Sequence, residues 1–398
     1  MNSFLSREAK IKIWIAALAA ALSLSAAGQT LKVESIANPS APGSLQASWS
    51  TARDGSPLLS WIETQKDESY TLKYAIRRGA QWSEPRTIAA RRQFFRQPAE
   101  LPEVISLSDG TLLAHWVEAP SEGSEAEFSY VAASHDGLRW TTPVIIHKDR
   151  SMVQHGLASI AASGDREASI LWLEALQGED APVSLKRTVV NAEGKVVKEE
   201  ALDTDVCACC PTSVVKTARG LLVAYRDRTT EDIRDIAVLR LENGRWSASK
   251  TINPDKWKLN ACPTNAAAAA VQGDRVAIAW FTGAQDSPRD QIVFSSDAGA
   301  TFTKPVVVST GRSFGYTSLA LDAQGNALVS WLEQSAAGAR ILIRQISPAG
   351  AAGPVIQVAE GSRRSLGYPR ILQTGNDTWI AWTSSATPAK VQTARLVK

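Results

Sequence analysis

All four cysteines of this 398-residue chain fall between positions 207 and 262. Three form the run Cys207-Ala208-Cys209-Cys210, and Cys210-Pro211-Thr212 is repeated as Cys262-Pro263-Thr264. Thiols that meet on one surface can do two kinds of chemistry. In an oxidising compartment they pair as disulfides, and of the three pairings open to four thiols a bridge between the adjacent Cys209 and Cys210 would be strained. Held as thiolates, they make a soft-metal site for copper or zinc, to which His155 can add a ligand. The Cys-x-Cys-Cys run is not the paired Cys-x-x-Cys spacing of a standard zinc site, and no Cys-x-x-Cys-His is present to attach a haem. No cofactor is required by any other motif.

The charged residues admit two readings as well. Arg226-Asp227-Arg228 and Arg234-Asp235 flank one polar loop. Guanidinium forks at that place suit a carboxylate-bearing ligand, and they suit equally well a set of Arg–Asp pairs that pins the loop. Glu63, Glu118, Glu174 and Glu333 each follow a tryptophan by two residues. Of the four histidines, His115 alternates within a strand pattern, His135 sits in a turn and His147 ends a repeat, so no Ser-His-Asp arrangement is indicated. No phosphate-binding glycine loop or dinucleotide fingerprint is present.

These residues are positioned by a repeat. Trp61, Trp116, Trp172, Tyr225, Trp280, Trp331 and Trp382 recur at intervals of 51 to 56 residues. Each ends the second of four short strand-like segments, as in Leu221-Leu-Val-Ala-Tyr225 followed by Ile236-Ala-Val-Leu-Arg240 and Asn243-Gly-Arg-Trp246. A four-stranded unit at that period predicts an all-β fold, a β-propeller whose blades bury their faces on one another. Seven landmarks predict seven blades, at 46–89, 101–147, 155–202, 210–246, 262–309, 316–359 and 368–398. The last repeat has room for three strands only, so the segment 31–36 is expected to supply the fourth and close the ring. The landmark aromatics are then core between blades.

Aligning the repeats where the chain begins its first strand gives one residue per blade: Gln46, Leu101, His155, Cys210, Cys262, Tyr316 and Tyr368. This series is expected to line one rim of the central channel, with all four thiols gathered in one sector beside His155.

Hydrophobic residues at 44% and charged residues at 21% suit a folded globular chain. A net charge of +3 with no concentrated basic face argues against nucleic acid as a partner. Arg7, Lys10 and Lys12, an apolar run over 13–24 and Ser25-Ala26-Ala27 read as a secretory leader over 1–27. That run is short for a bilayer and no other stretch could cross one. The expectation is a periplasmic or secreted monomer, a single propeller domain over 28–398.

Ser295-Ser-Asp297-Ala-Gly299-Ala-Thr301-Phe302 resembles the Asp-box of the sialidase superfamily. Ser134-His-Asp136-Gly-Leu-Arg-Trp140 is a version one residue shorter, and Gly79-Ala-Gln-Trp82 and Gly244-Arg-Trp246 look like eroded copies. The resemblance implies a propeller with its Asp-boxes on the face away from the active site; sialidase propellers have six blades, which leaves six as the alternative count. It also implies a site in which three arginines hold a sugar carboxylate and a Tyr nucleophile works with a Glu and an Asp. Carried onto this chain, those roles fall to Arg226, Arg234 and Arg370, to Tyr316, and to Glu333 or Glu174 and Asp227. Tyr316-Thr-Ser-Leu319 is similar to the segment around the family's Tyr, although Arg312-Ser-Phe-Gly-Tyr316 is echoed by Arg364-Ser-Leu-Gly-Tyr368. Three functions follow: a propeller that binds a carbohydrate or protein ligand on its cysteine-bearing rim, a glycoside hydrolase of the exo-sialidase kind, or a copper- or zinc-binding protein.

Overall fold

The computed structural model describes residues 31–176, 181–384 and 386–397; the leader read over 1–27 lies outside the described residues. Seven antiparallel sheets are arranged as seven blades. Their innermost strands are Ser44–Thr51, Glu103–Ser106, His155–Ala162, Ser213–Thr217, Ala267–Gln272, Ser313–Leu321 and Arg370–Thr374. The second strands, such as Leu112–Glu118, Gly220–Arg226 and Ala327–Ser335, are almost wholly buried. A sheet packed on both faces demands apolar residues at consecutive positions, and this is why these segments read as unbroken Leu, Val and Ala runs rather than alternating ones.

The ring closes as expected. Lys32–Ile36 pairs antiparallel with Val391–Val397, in register from Lys32 with Val397 to Ile36 with Thr393, and forms the outer strand of the seventh blade. The link into the first blade is tied to the seventh: Asn38 Nδ2 donates to the Val391 carbonyl at 3.0 Å, Gly43 N–H to the Ala389 carbonyl at 2.7 Å, and Val391 N–H to Ser44 Oγ at 2.9 Å.

Between blades, Trp61, Trp116, Trp172, Trp280 and Trp331 are at most 1% exposed. An indole N–H in so dry a place needs an acceptor. Trp61, Trp116 and Trp331 donate to the carboxylate two residues on, at 2.9 Å to Glu63, 2.6 Å to Glu118 and 3.2 Å to Glu333. Each of those carboxylates is balanced by a cation: Lys73 at 2.7 Å, Arg91 at 3.2 Å and Arg340 at 2.7 Å, with Glu174 held by Lys186 at 2.8 Å. The Trp-x-Glu spacing is therefore a repeated structural pin.

Both Asp-boxes have the expected turn. Asp297 accepts from Thr301 N–H at 2.9 Å and from the Ser295 hydroxyl at 2.7 Å, and Asp136 accepts from Leu138 and Arg139 N–H, both at 2.8 Å. Hydrogen bonds from Thr301 and from the Arg139 and Leu138 backbone hold these two carboxyls well below the usual range. They lie on the turns after the third strands, at the end of the ring opposite the starts of the innermost strands.

Deleting residues 28–37 removes the strand that pairs with Val391–Val397 and leaves it as an open edge, with only the Asn38, Gly43 and Ser44 ties holding the first blade to the last. The melting temperature is expected to fall by at least ~5 °C with broadened unfolding; an unchanged melt by circular dichroism would show that the ring does not depend on this strand.

Candidate functional site

One ladder position is common to all seven blades: the innermost-strand residue that faces the one preceding the aromatic landmark. It is occupied by Ser48, Glu103, Ser159, Ser213, Ala268, Ser318 and Arg370. All but Ser48 line a channel cavity of about 230 Å³. Small side chains fill this ring because seven inner strands converge there. Its one charged pair joins Arg370 Nη2 to Glu103 Oε1 at 3.0 Å.

Two residues upstream of each lies the rim: Gln46, Leu101, Leu157, Pro211, Ala266, Tyr316 and Tyr368. Gln46, Leu157 and Tyr316 share a left-handed backbone, φ 53°, 53° and 56°, where the first two strands of their blades slip register at a bulge. The rim series read from sequence is therefore corrected in three blades. Leu157 stands in place of His155, Pro211 in place of Cys210, and Ala266 in place of Cys262. Repeat spacing misses this because the approaching loops differ in length.

The mouth is plugged. Tyr368 is 7% exposed and crosses to the fifth blade, its hydroxyl donating to the Thr264 carbonyl at 3.1 Å and accepting from Ala266 N–H at 3.2 Å. It packs in one cluster with Leu101, Leu157 and Val206, against which Ala208 and Tyr316 also rest. The half-buried Tyr316 ring lies 4.6 Å from that of Tyr368, and its N–H donates to Asn265 Oδ1 at 2.7 Å.

Beside this plug three of the four thiols meet. Cys207 Sγ is 2.9 Å from Cys210 Sγ and 3.9 Å from Cys209 Sγ. Cys207 and Cys210 are buried and Cys209 is half-buried. Arg234 Nη1 donates to Cys207 Sγ at 3.3 Å. The neighbouring Cys209 and Cys210 thiols and the Arg226 guanidinium hold Cys207 far below the ordinary thiol range, while burial pushes Cys210 up to about 12. Arg226 is 2% exposed and donates only to carbonyls, of Arg234 at 2.7 Å, Phe281 at 2.8 Å and Asn265 at 3.3 Å, with its guanidinium 5.0 Å from the Trp257 ring centre. The loop is stitched to its own blade by Cys207 N–H to the Arg226 carbonyl at 3.0 Å and by a bridge between Val206 and Asp227.

The proposed five-ligand set divides. Cys262 is exposed and outside the thiol group, so no bridge from it ties the fourth blade to the fifth. His155 is buried, stacked on His147 with centroids 3.9 Å apart, and grouped with Asp149 and Glu174. The feature missed in the sequence is that Cys207 and Cys210 are themselves a Cys-x-x-Cys pair inside the Cys-x-Cys-Cys run.

The arginine triad divides too. Arg234 donates to Cys207 and Arg226, in the same sector, turns its guanidinium to three carbonyls, whereas Arg370 turns into the channel toward Glu103. Glu333 is 1% exposed and fully engaged: one oxygen accepts from Gly311 N–H at 2.8 Å, Thr310 N–H at 3.1 Å and Trp331, and the other holds Arg340. Its hydrogen bonds go to these partners and none reaches Tyr316. Asp227 accepts from Arg228 N–H at 2.8 Å, and burial raises its carboxyl to about 6.

A second acidic pair had no signal in the sequence. Glu100 and Glu127 both reach within 3 Å of the point where a side chain on Gly156 would begin, so only glycine leaves them room. Glu100 Oε1, Glu127 Oε2 and the nearby Gln46 Oε1 are buried without hydrogen-bond partners. Burial raises both carboxyls, that of Glu127 to about 7.

A family model described as a BNR repeat-like domain matches residues 61–380. No curated protein sequence matches the chain. Among solved structures it is similar to a protein of unknown function from Dyadobacter fermentans, at 13% identity and a TM-score of 0.55, covering 92% of this chain and 99% of that one. It is similar to the polysaccharide lyase Uly1 at 9% identity and a TM-score of 0.56, covering 94% of each. It is also similar to the GH93 alpha-L-arabinofuranosidase of Fusarium graminearum at 14% identity and a TM-score of 0.51, covering 76% of this chain and 94% of that one.

The acidic pair sets a pH dependence. Because Glu127 is raised from 4.5 to about 7, the folded state binds more protons than the unfolded one between those values. Its contribution to stability is fully present below pH 4.5 and is lost as pH rises through 7. Glu127→Gln is expected to flatten that decline and to raise the melting temperature at pH 8 relative to the parent; equal pH–melting curves for the two proteins would contradict it.

Proposed function

Because the chain belongs to the BNR repeat-like domain family, as a sialidase-superfamily propeller, we propose that it is an exported protein that binds a carbohydrate on the rim of its channel, beside the cysteine cluster. The observation that carries this is the plugged mouth. Tyr316 and Tyr368 form an aromatic floor, with the exposed Arg363 guanidinium 5.5 Å from the Tyr316 ring centre. Aromatic rings beside a cation suit the apolar face and the polar edge of a sugar. The structural neighbours include a polysaccharide lyase and an arabinofuranosidase, which supports a glycan as the ligand class. Export is supported by the leader pattern over 1–27.

Binding without sialidase-type hydrolysis is the reading preferred. The Tyr nucleophile of that chemistry needs a carboxylate partner, and Glu333 is committed to its pin. A second reading, hydrolysis of another glycoside, rests on Asp227, whose carboxyl at about 6 is suited to a general acid.

On a panel of immobilised glycans the mature protein should bind a defined subset, and Tyr316→Ala should weaken that binding about tenfold, as expected for one lost stacking contact of ~1.4 kcal/mol. Fluorogenic sialosides should not be turned over. Sialoside turnover abolished by Tyr316→Phe would restore the sialidase assignment, and turnover of a different fluorogenic glycoside abolished by Asp227→Asn would favour the second reading.

A further inference from the structure

The trithiol sector has no part in sugar binding as proposed above, and its chemistry points elsewhere. We propose that Cys207, Cys209 and Cys210 form a trithiolate site for copper(I), with Arg226 and Arg234 as its counter-charges.

The ligand set comes first. The three sulfurs all lie within 4.8 Å of one another. Three thiolates around one ion at ~2.3 Å stand ~4 Å apart in a trigonal plane. Cys207 and Cys209, at 3.9 Å, already have that separation, and Cys210, at 2.9 Å from Cys207, has to open by about an ångström. Soft sulfur ligands and the absence of carboxylate or carbonyl oxygens in the group exclude calcium and magnesium. A structural zinc site takes four ligands, and the two candidates for a fourth are placed elsewhere: Cys262 is exposed and apart, and His155 is bound to Asp149 and stacked on His147.

The surroundings suit an anionic metal–thiolate group. Three thiolates and one copper(I) carry a net charge of −2; Arg234 donates to Cys207 at 3.3 Å and also lies 3.6 Å from Asp232, and the buried Arg226 is held in the same sector by carbonyls. Arg226 has, among the described residues, no carboxylate within ion-pair distance, and a buried guanidinium satisfied only by carbonyls lacks a counter-anion. The metal–thiolate group supplies it. On loading, the thiols give up their protons to solvent and bind as thiolates. The half-buried Cys209 is the way in, while the buried Cys207 and Cys210 hold the ion away from water.

The test uses the full mature chain, reduced and purified without air, titrated with copper(I) against a chromophoric copper(I) chelator. One ion per chain is expected, with three sulfur neighbours at ~2.3 Å by X-ray absorption. Bound copper should protect Cys207, Cys209 and Cys210 from iodoacetamide while Cys262 is still alkylated, a readout that needs no variant. Cys209→Ser should lower copper affinity by on the order of 100-fold or more, beyond the range seen for supporting residues, and Cys262→Ser should leave it unchanged. The proposal is overturned by a stable Cys207–Cys210 disulfide in protein taken from its native compartment that takes up no copper after reduction. It is overturned equally by alkylation of the three thiols at the same rate with and without copper, or by zinc displacing copper(I) from the site at equal concentration.

Discussion

The constraint on which this structure rests is that no blade can bury itself. A second strand such as Gly220–Arg226 is apolar on both faces, and only a neighbouring blade on each side removes that surface from water. The demand passes around the ring until the last blade meets the first, which is why the chain's first described strand is spent on its last sheet. Large aromatics between blades follow from the same need, and polar consequences follow from the aromatics. A buried indole N–H requires an acceptor, a buried carboxylate acceptor requires a cation, and so Trp61, Glu63 and Lys73 recur in kind as Trp116, Glu118 and Arg91 and as Trp331, Glu333 and Arg340. Glutamates that look catalytic by their place at the rim are explained by closure.

The fold was legible because its signals are local and repeated. A period of about 53 residues, an aromatic at a fixed place and a short final repeat gave the blade number and the closing strand without any long-range information. The rim was legible only in part. Gln46, Leu101, Tyr316 and Tyr368 are where the spacing puts them, but in the third, fourth and fifth blades the approaching loop is longer than the repeat implies, which moved the alignment onto His155, Cys210 and Cys262. Such an offset depends on loop lengths that the repeat does not carry, and not on the bulges, since Gln46 and Tyr316 sit at bulges and lie where the spacing puts them. The Glu100–Glu127 pair was beyond reach for the same reason: residues from two loops meet over Gly156, and nothing in either loop announces the other.

Charge is handled differently in the two halves of the rim. Around the second and third blades, burial keeps carboxyls and imidazoles neutral, Glu127 pushed up to about 7 and His147 down to about 3. Around the fourth and fifth, guanidiniums that cannot be neutralised are set beside thiols that can be ionised. A titrating acid relieves a dry site by taking a proton, whereas an arginine has no such exit and must find an anion. Arg234 has Asp232 at 3.6 Å and Cys207 at 3.3 Å, whereas Arg226 has carbonyls alone.

That pairing is effective because its geometry is not left to a free loop. Cys207 is fixed through its own N–H to the end of the second strand, Val206 and Asp227 are bridged, and Arg226 is clamped by carbonyls from three separate residues. On the neighbouring blades, Asn265 accepts the Tyr316 N–H at a point where any side chain on Gly315 would collide with it. Each functional-looking side chain on this sector thus hangs from strands that the ring already holds, so its position needs little further ordering when a ligand or an ion arrives. Closure of the ring, which is forced by burial alone, in this way also preorganises the rim.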